Sequence, residues 1–128
     1  MCAATPHLPA HQALAGLASR YVEVAALPWV ATRFPGIDLK ILLEDKETGL
    51  LTALTRFNPG AVLPEHEHVE LEQTFVLEGT LEDDEGIASA GNYVWRPAGS
   101  RHSARAPNGC LALSFFLKPN KFFDTDPG

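Results

Sequence analysis

Cysteine is scarce in this chain, and the two present, Cys2 and Cys110, do not form a disulfide framework. The fold must therefore be held by a packed core. Cys110 opens an apolar run and reads as a small buried hydrophobe, whereas Cys2 falls in an N-terminal tail. Basic charge is also short: 10 Lys and Arg stand against 16 Asp and Glu, a net of −6. Nucleic acid and anionic membranes both need a basic footprint, so neither is an expected partner. Long hydrophobic runs are missing as well. No stretch approaches the roughly 18 apolar residues of a membrane helix. The N-terminus shows no basic region followed by an apolar segment, the pattern of a signal peptide. Reduced thiols and the lack of that pattern lead us to expect a cytoplasmic protein.

What is present suits one globular domain. At 128 residues, 45% of them hydrophobic, the chain can bury a sizeable core. Residues 1–20 are rich in Ala, Pro and His and read as a tail, with a possible short helix over Gln12 to Arg20. His7 and His11 lie there without other candidate ligands. Residues 21–128 read as the folded domain. Ile37 to Glu44, Leu50 to Phe57, Thr74 to Leu77, Asn92 to Arg96 and Leu111 to Leu117 are short apolar runs. Turn signals punctuate them at Pro35-Gly36, Lys46 to Gly49, Asn58 to Gly60, Asp83 to Gly86, Pro97 to Gly99 and Pro107 to Gly109. Many short strands at close spacing predict an all-β sandwich or barrel.

Two stretches carry chemistry. The first is Gly60, five residues, His66, one, His68, three, Glu72, six, Gly79; the second is Gly91, five residues, Pro97, one, Gly99, two, His102. Imidazoles with a carboxylate suit a divalent first-row transition metal. His66, His68, Glu72, Thr74 and Val76 share one parity, so on an unbroken strand they face one way. His102 must then arrive from a neighbouring strand, delivered by the tight turn Pro97 to Ser100. The opposite parity carries Leu71, Phe75 and Leu77, which are also apolar. Likewise Leu111, Leu113, Phe115 and Leu117 oppose Ala112, Ser114 and Phe116. Strands apolar on both faces need cover on both. The N-terminal segment or a second subunit could supply the outer cover, and we expect a homodimer.

The two stretches resemble the two signatures of the cupin superfamily, matched at every defining position up to His102. An asparagine that often follows four residues after that histidine is Ala106 here. The resemblance implies a double-stranded β-helix, a jelly-roll barrel, with a metal held inside by His66, His68, Glu72 and His102. More narrowly, Thr48-Gly49, Pro59-Gly60, Pro64 to His68, Val76 to Gly79, Gly91 to Val94 and Pro97 to His102 resemble one cupin group. It contains acetylacetone dioxygenase, dihydroxyacetophenone dioxygenase and the cupin domain of zinc-binding anti-sigma factors. Those anti-sigma proteins carry an additional helical zinc domain, which we do not expect here because these residues lack the cysteines for it.

Four protein ligands leave two positions open on six-coordinate Fe(II), Mn(II) or Ni(II), but close a tetrahedral Zn(II) site. The resemblance thus implies a metal-dependent dioxygenase, with Fe(II) the expected metal. It would cleave a carbon–carbon bond of a small dicarbonyl or hydroxyketone with O2. Glu72 either stays bound or swings away when substrate arrives, and the spacing leaves both open. The alternatives are a non-enzymatic sensor or regulatory module and a metal-assisted isomerase or hydrolase. Arg96, Arg101 and Arg105 flank the last ligand and are candidate contacts for an anionic substrate, although exposed arginines are common on strand edges. The acidic run Glu82 to Glu85 lacks the spacing of a calcium loop and reads as a solvated hairpin tip.

Overall fold

The computed structural model describes residues 3–6 and 8–123, so Cys2 and His7 lie outside the described residues. Ten strands run in chain order: β1 (Val30–Ala31), β2 (Ile37–Asp45), β3 (Leu50–Phe57), β4 (Ala61–Glu67), β5 (Glu72–Glu82), β6 (Ile87–Ser89), β7 (Tyr93–Arg96), β8 (Arg101–Ala106), β9 (Cys110–Phe116) and β10 (Lys121–Phe122). Every pairing is antiparallel. One sheet runs β1-β2-β3-β9-β5-β7, and the other joins β6, the end of β5, β8, β4 and β10. Strand β5 belongs to both and folds one over the other. The result is the all-β jelly roll expected from the sequence.

The inner faces of the two sheets make the core. Ile37, Phe57, Ala61, Val76, Leu81, Ala104, Ala106, Cys110 and Ala112 form its buried apolar cluster. Alanines dominate the inward positions, so strands on opposite walls leave lumen space between them. Burial raises the Cys110 thiol to about 11, which keeps it protonated and unreactive.

Two irregularities decide what faces inward. In β5 the register shifts between Val76 and Glu78. Before it Glu72, Thr74 and Val76 are buried; after it Leu81 and Asp83 are. One extra residue has moved the inward set from even to odd numbers. In β4 the shift lies between Leu63 and His66, and the inward set moves from Ala61 to His66 and His68.

Three expectations are corrected. The helix over Gln12 to Arg20 does not form; a 3-10 turn at Pro9–Ala13 stands in its place. Gly16 interrupts the segment, and Leu17 is fully exposed with nothing to pack on. So short a piece has no helix stability of its own. The histidine strand is not continuous, because a break separates β4 at Glu67 from β5 at Glu72. Asp83, read as part of a solvated tip, is buried.

The outer face of the first sheet is only partly covered. Trp29 lies under the Arg56 guanidinium at 4.1 Å and near the Lys40 ammonium at 5.0 Å, shielding β2 and β3. Beyond it Phe75, Leu77, Tyr93, Trp95, Phe115 and Leu117 remain exposed. None of the described helices is long and apolar enough to cross a membrane.

Candidate metal centre

His66, His68, Glu72 and His102 come together inside the jelly roll, with one donor atom from each lying within 4.8 Å of the others. His66 on β4 and His102 on β8 are direct cross-strand partners. His68 follows the end of β4, and Glu72 opens β5. The three rings pack edge to face or tilted, with centroids 4.6 to 4.9 Å apart.

Each imidazole is anchored through the same nitrogen. His66 Nδ1 lies 2.8 Å from the Pro64 carbonyl. Pro64 sits in the β4 irregularity, where a residue without an N–H is tolerated and its carbonyl can turn toward the ring. His102 Nδ1 lies 2.7 Å from Asp83 Oδ2. His68 Nδ1 lies 3.0 Å from Ser100 Oγ and 3.2 Å from the Ser100 carbonyl. Ser100 Oγ spends its own proton on the Pro97 carbonyl at 2.7 Å, so it accepts from His68. A carbonyl, a carboxylate and an accepting hydroxyl all require an N–H. The assigned tautomer is therefore Nδ1–H in all three rings, which leaves Nε2 as a bare lone pair. Metal-ligating histidines are oriented in this way.

The turn between β7 and β8 fixes His68 as well as delivering His102. Gly99, at φ +89, donates its N–H to the His68 carbonyl at 2.7 Å, and His68 donates its N–H to the Ser100 carbonyl at 2.9 Å.

The donor set fits a cation. His68 Nε2 lies 2.7 Å from Glu72 Oε2, yet this buried nitrogen has no hydrogen-bond partner. The two observations agree once the tautomer is assigned, because two lone pairs then face each other. Either a proton or a cation must lie between them. Burial lowers the pKa of His66, and neighbouring His68 adds to the effect while the Pro64 bond opposes it. His102 falls to about 4, through burial first and then the nearby Arg96 charge, against the pull of Asp83. Near neutral pH both rings are unprotonated and free to donate.

Asp83 was not recognised as a site residue from the sequence. Its Oδ2 accepts from His102 and from Arg96 Nη1 at 2.8 Å, and its Oδ1 accepts the backbone N–H groups of Glu85 at 2.9 Å and Gly86 at 3.0 Å. Burial raises its pKa, but the Glu85 N–H, His102 and Arg96 outweigh that and hold it below the usual carboxylate range.

The three arginines are placed differently. Arg96 faces the centre: beside its bond to Asp83, its Nε lies 3.9 Å from Glu72 Oε2. Arg101 stands at the rim, 3.1 Å from Glu67 and stacked 4.4 Å above the Phe123 ring. Arg105 pairs with Glu82 and Asp84 and does not line the cavity at the site. That cavity has a volume of about 400 Å³ and meets His68 and His102 at its inner end. Leu81, Ile87 and Val94 give it apolar wall, and Arg96 and Asp83 give it a charged floor. On the far side, Phe122 packs against His66 with centroids 5.2 Å apart and against Phe34 at 4.7 Å.

The chain is similar to known proteins in sequence profile and in fold. The sequence profile of the ChrR cupin-like domain matches residues 17–119. The acetylacetone dioxygenase of Acinetobacter johnsonii superposes with a TM-score of 0.76 at 25% identity, over 84% of this chain and 80% of that one. A candidate acetylacetone dioxygenase from Methylibium petroleiphilum gives 0.77 at 25% identity, over 90% and 88%. The anti-sigma factor ChrR of Rhodobacter sphaeroides, solved with SigE, gives 0.62 at 24% identity, over 73% of this chain and 50% of that one. No curated protein sequence matches.

Proposed function

From a chain that belongs to the ChrR cupin-like domain family, we propose a metal-dependent dioxygenase that cleaves a carbon–carbon bond of a small dicarbonyl or hydroxyketone. One observation carries this reading: three imidazoles and a carboxylate converge on one point, and two of them, His68 and His102, line a cavity with room for a small substrate. The 25% identity to an acetylacetone dioxygenase over most of both chains supports the same class.

In this reading His66, His68, His102 and Glu72 hold one divalent ion, Fe(II). When bound, the ion would supply Lewis acidity to a chelating substrate and bring O2 beside it. The protein does the rest. Leu81 and Val94 give a neutral, compact substrate apolar surface to pack on. Arg96 places positive charge beside the site, where it favours the enolate of a dicarbonyl over its neutral form. Asp83 and Glu72 balance that charge when no substrate is present. In the overall reaction one carbon–carbon bond breaks, and both atoms of O2 enter the two carbonyl fragments.

The test is turnover under labelled oxygen. Fe(II)-loaded protein incubated with a panel of diketones and hydroxyketones should yield a labelled carboxylic acid from at least one of them. Unlabelled acid, or no cleavage across the panel, would remove the dioxygenase reading.

A second reading is a sensing or regulatory module, favoured by the family itself and by the likeness to an anti-sigma factor. There the same four ligands hold Zn(II) in a closed site. Tight zinc retention with no oxygen chemistry would favour it. For either reading we propose a homodimer, which would cover the apolar outer face around Phe75 and Trp95.

A further inference from the structure

Asp83 lies outside both histidine stretches, yet it is the residue through which His102, Arg96 and the β5–β6 turn are joined. We infer that Asp83 is a positioning residue that fixes His102 as an Nε2 ligand and locks Arg96 in place. This rests on the reading of His102 as a metal ligand.

A carboxylate has about four acceptor sites, and Asp83 uses both oxygens. Oδ1 takes two backbone N–H groups of its own turn, from Glu85 and Gly86. The Asp83 N–H closes the same turn on the Gly86 carbonyl at 3.0 Å. The turn therefore holds the carboxylate rigidly, and Oδ2 has one place to point. There it meets His102 Nδ1 at 2.7 Å and Arg96 Nη1 at 2.8 Å. Both distances are typical of charge-assisted bonds. The side chain of Asp83 is 3% exposed, so water does not compete for these bonds.

Two consequences follow. First, His102 must keep its proton on Nδ1, where the Asp83 carboxylate accepts it, and the lone pair on Nε2 then faces His66 and His68. Second, Arg96 is tethered. Without Asp83 its guanidinium would have Glu72 as its remaining acidic neighbour, 3.9 Å away. It would draw that carboxylate away from His68. Asp83 thus protects the donor set twice, once by orienting a ring and once by occupying a competing cation.

Asp83→Asn tests this with little change in shape. An amide cannot accept from His102 and Arg96 at one end and from two N–H groups at the other. Zinc affinity by chelator competition reads the ligand set without any turnover. Nitrogen-15 NMR of the metal-free protein reads the His102 tautomer directly. We expect wild type to show Nδ1–H at His102, and Asp83→Asn to lose that state and bind zinc about 10- to 100-fold more weakly. Asp84→Asn, on the same turn but without a contact to His102, should bind like wild type.

Equal zinc affinity in Asp83→Asn would overturn the inference. So would a weaker site in which His102 still carries Nδ1–H, because Asp83 would then not be what sets that ring. Should Asp83→Asn fail to fold, the wild-type spectrum still decides: a proton on Nε2 of His102 contradicts the assignment. Wild type that binds no zinc at all would instead sink the metal-site reading on which this one stands.

Discussion

Each histidine in the cluster is anchored at Nδ1 by a single residue, Pro64, Ser100 or Asp83, and that dependence makes the site open to single substitutions. His102→Ala removes a donor that β8 delivers from across the β4 ladder, and the metal content of the purified protein should fall to near zero. Full metal retention in this variant, measured by elemental analysis, would show that the ligand set is wrong. Ser100→Ala is milder: His68 keeps the Ser100 carbonyl at 3.2 Å, so affinity should drop less than for Asp83→Asn. The buried rings also predict a pH dependence of the metal-free fold. His102 titrates near 6.5 when unfolded and near 4 when folded. Below pH 6.5 the unfolded chain takes up a proton that the folded chain refuses, so stability is full above that pH and falls as pH drops toward 4. His66 shifts in the same direction and adds to the loss. Urea midpoints of the metal-free protein at pH 7 and pH 5 will show this, and equal midpoints would mean that the rings are not buried as described.

At the level of strands and turns, the site is made by two bulges and two kinds of glycine. Gly79 ends the part of β5 that lies in the first sheet, at φ +74, and a Cβ there would sit 2.1 Å from the Gly109 carbonyl oxygen. Gly60 has φ +86 but open space around it. Gly79→Ala should therefore cost about 3 kcal/mol or more, and Gly60→Ala about 1–2 kcal/mol, the penalty of the left-handed conformation alone. Urea unfolding of both variants will separate the two, and equal losses would contradict the close approach. The bulges also explain what the sequence could and could not disclose. The apolar run from Leu50 to Phe57 is β3 to the residue, because its inward alternation is unbroken. The histidines and Glu72 were legible from spacing and parity. Asp83 was not, because parity counted through β5 puts it on the wrong face. The extra residue between Val76 and Glu78 reverses the count, and nothing in Val76-Leu77-Glu78 announces a bulge. The 3-10 turn was missed for a different reason: Leu14 and Leu17 look like one face of a helix, but no partner surface receives them.

As a whole molecule, the jelly roll is sealed on one side of the histidine cluster by Phe122 and Phe34 and open on the other through the cavity at His68 and His102. Its outer sheet leaves Trp95 58% exposed beside Phe75 and Phe115, more apolar surface than a monomer keeps without a use. Sedimentation should show a dimer that Trp95→Glu shifts toward monomer without altering the circular dichroism spectrum. A monomeric wild type would end the dimer proposal and leave the metal centre untouched. The central claim is that four inward donors hold an ion with room beside it for substrate and oxygen. The most direct measurement is oxygen uptake by anaerobically purified protein loaded with one Fe(II) per chain, compared with the same protein loaded with Zn(II). The account predicts diketone-dependent uptake from the iron form and none from the zinc form. No uptake by fully loaded iron protein with any diketone or hydroxyketone would contradict it.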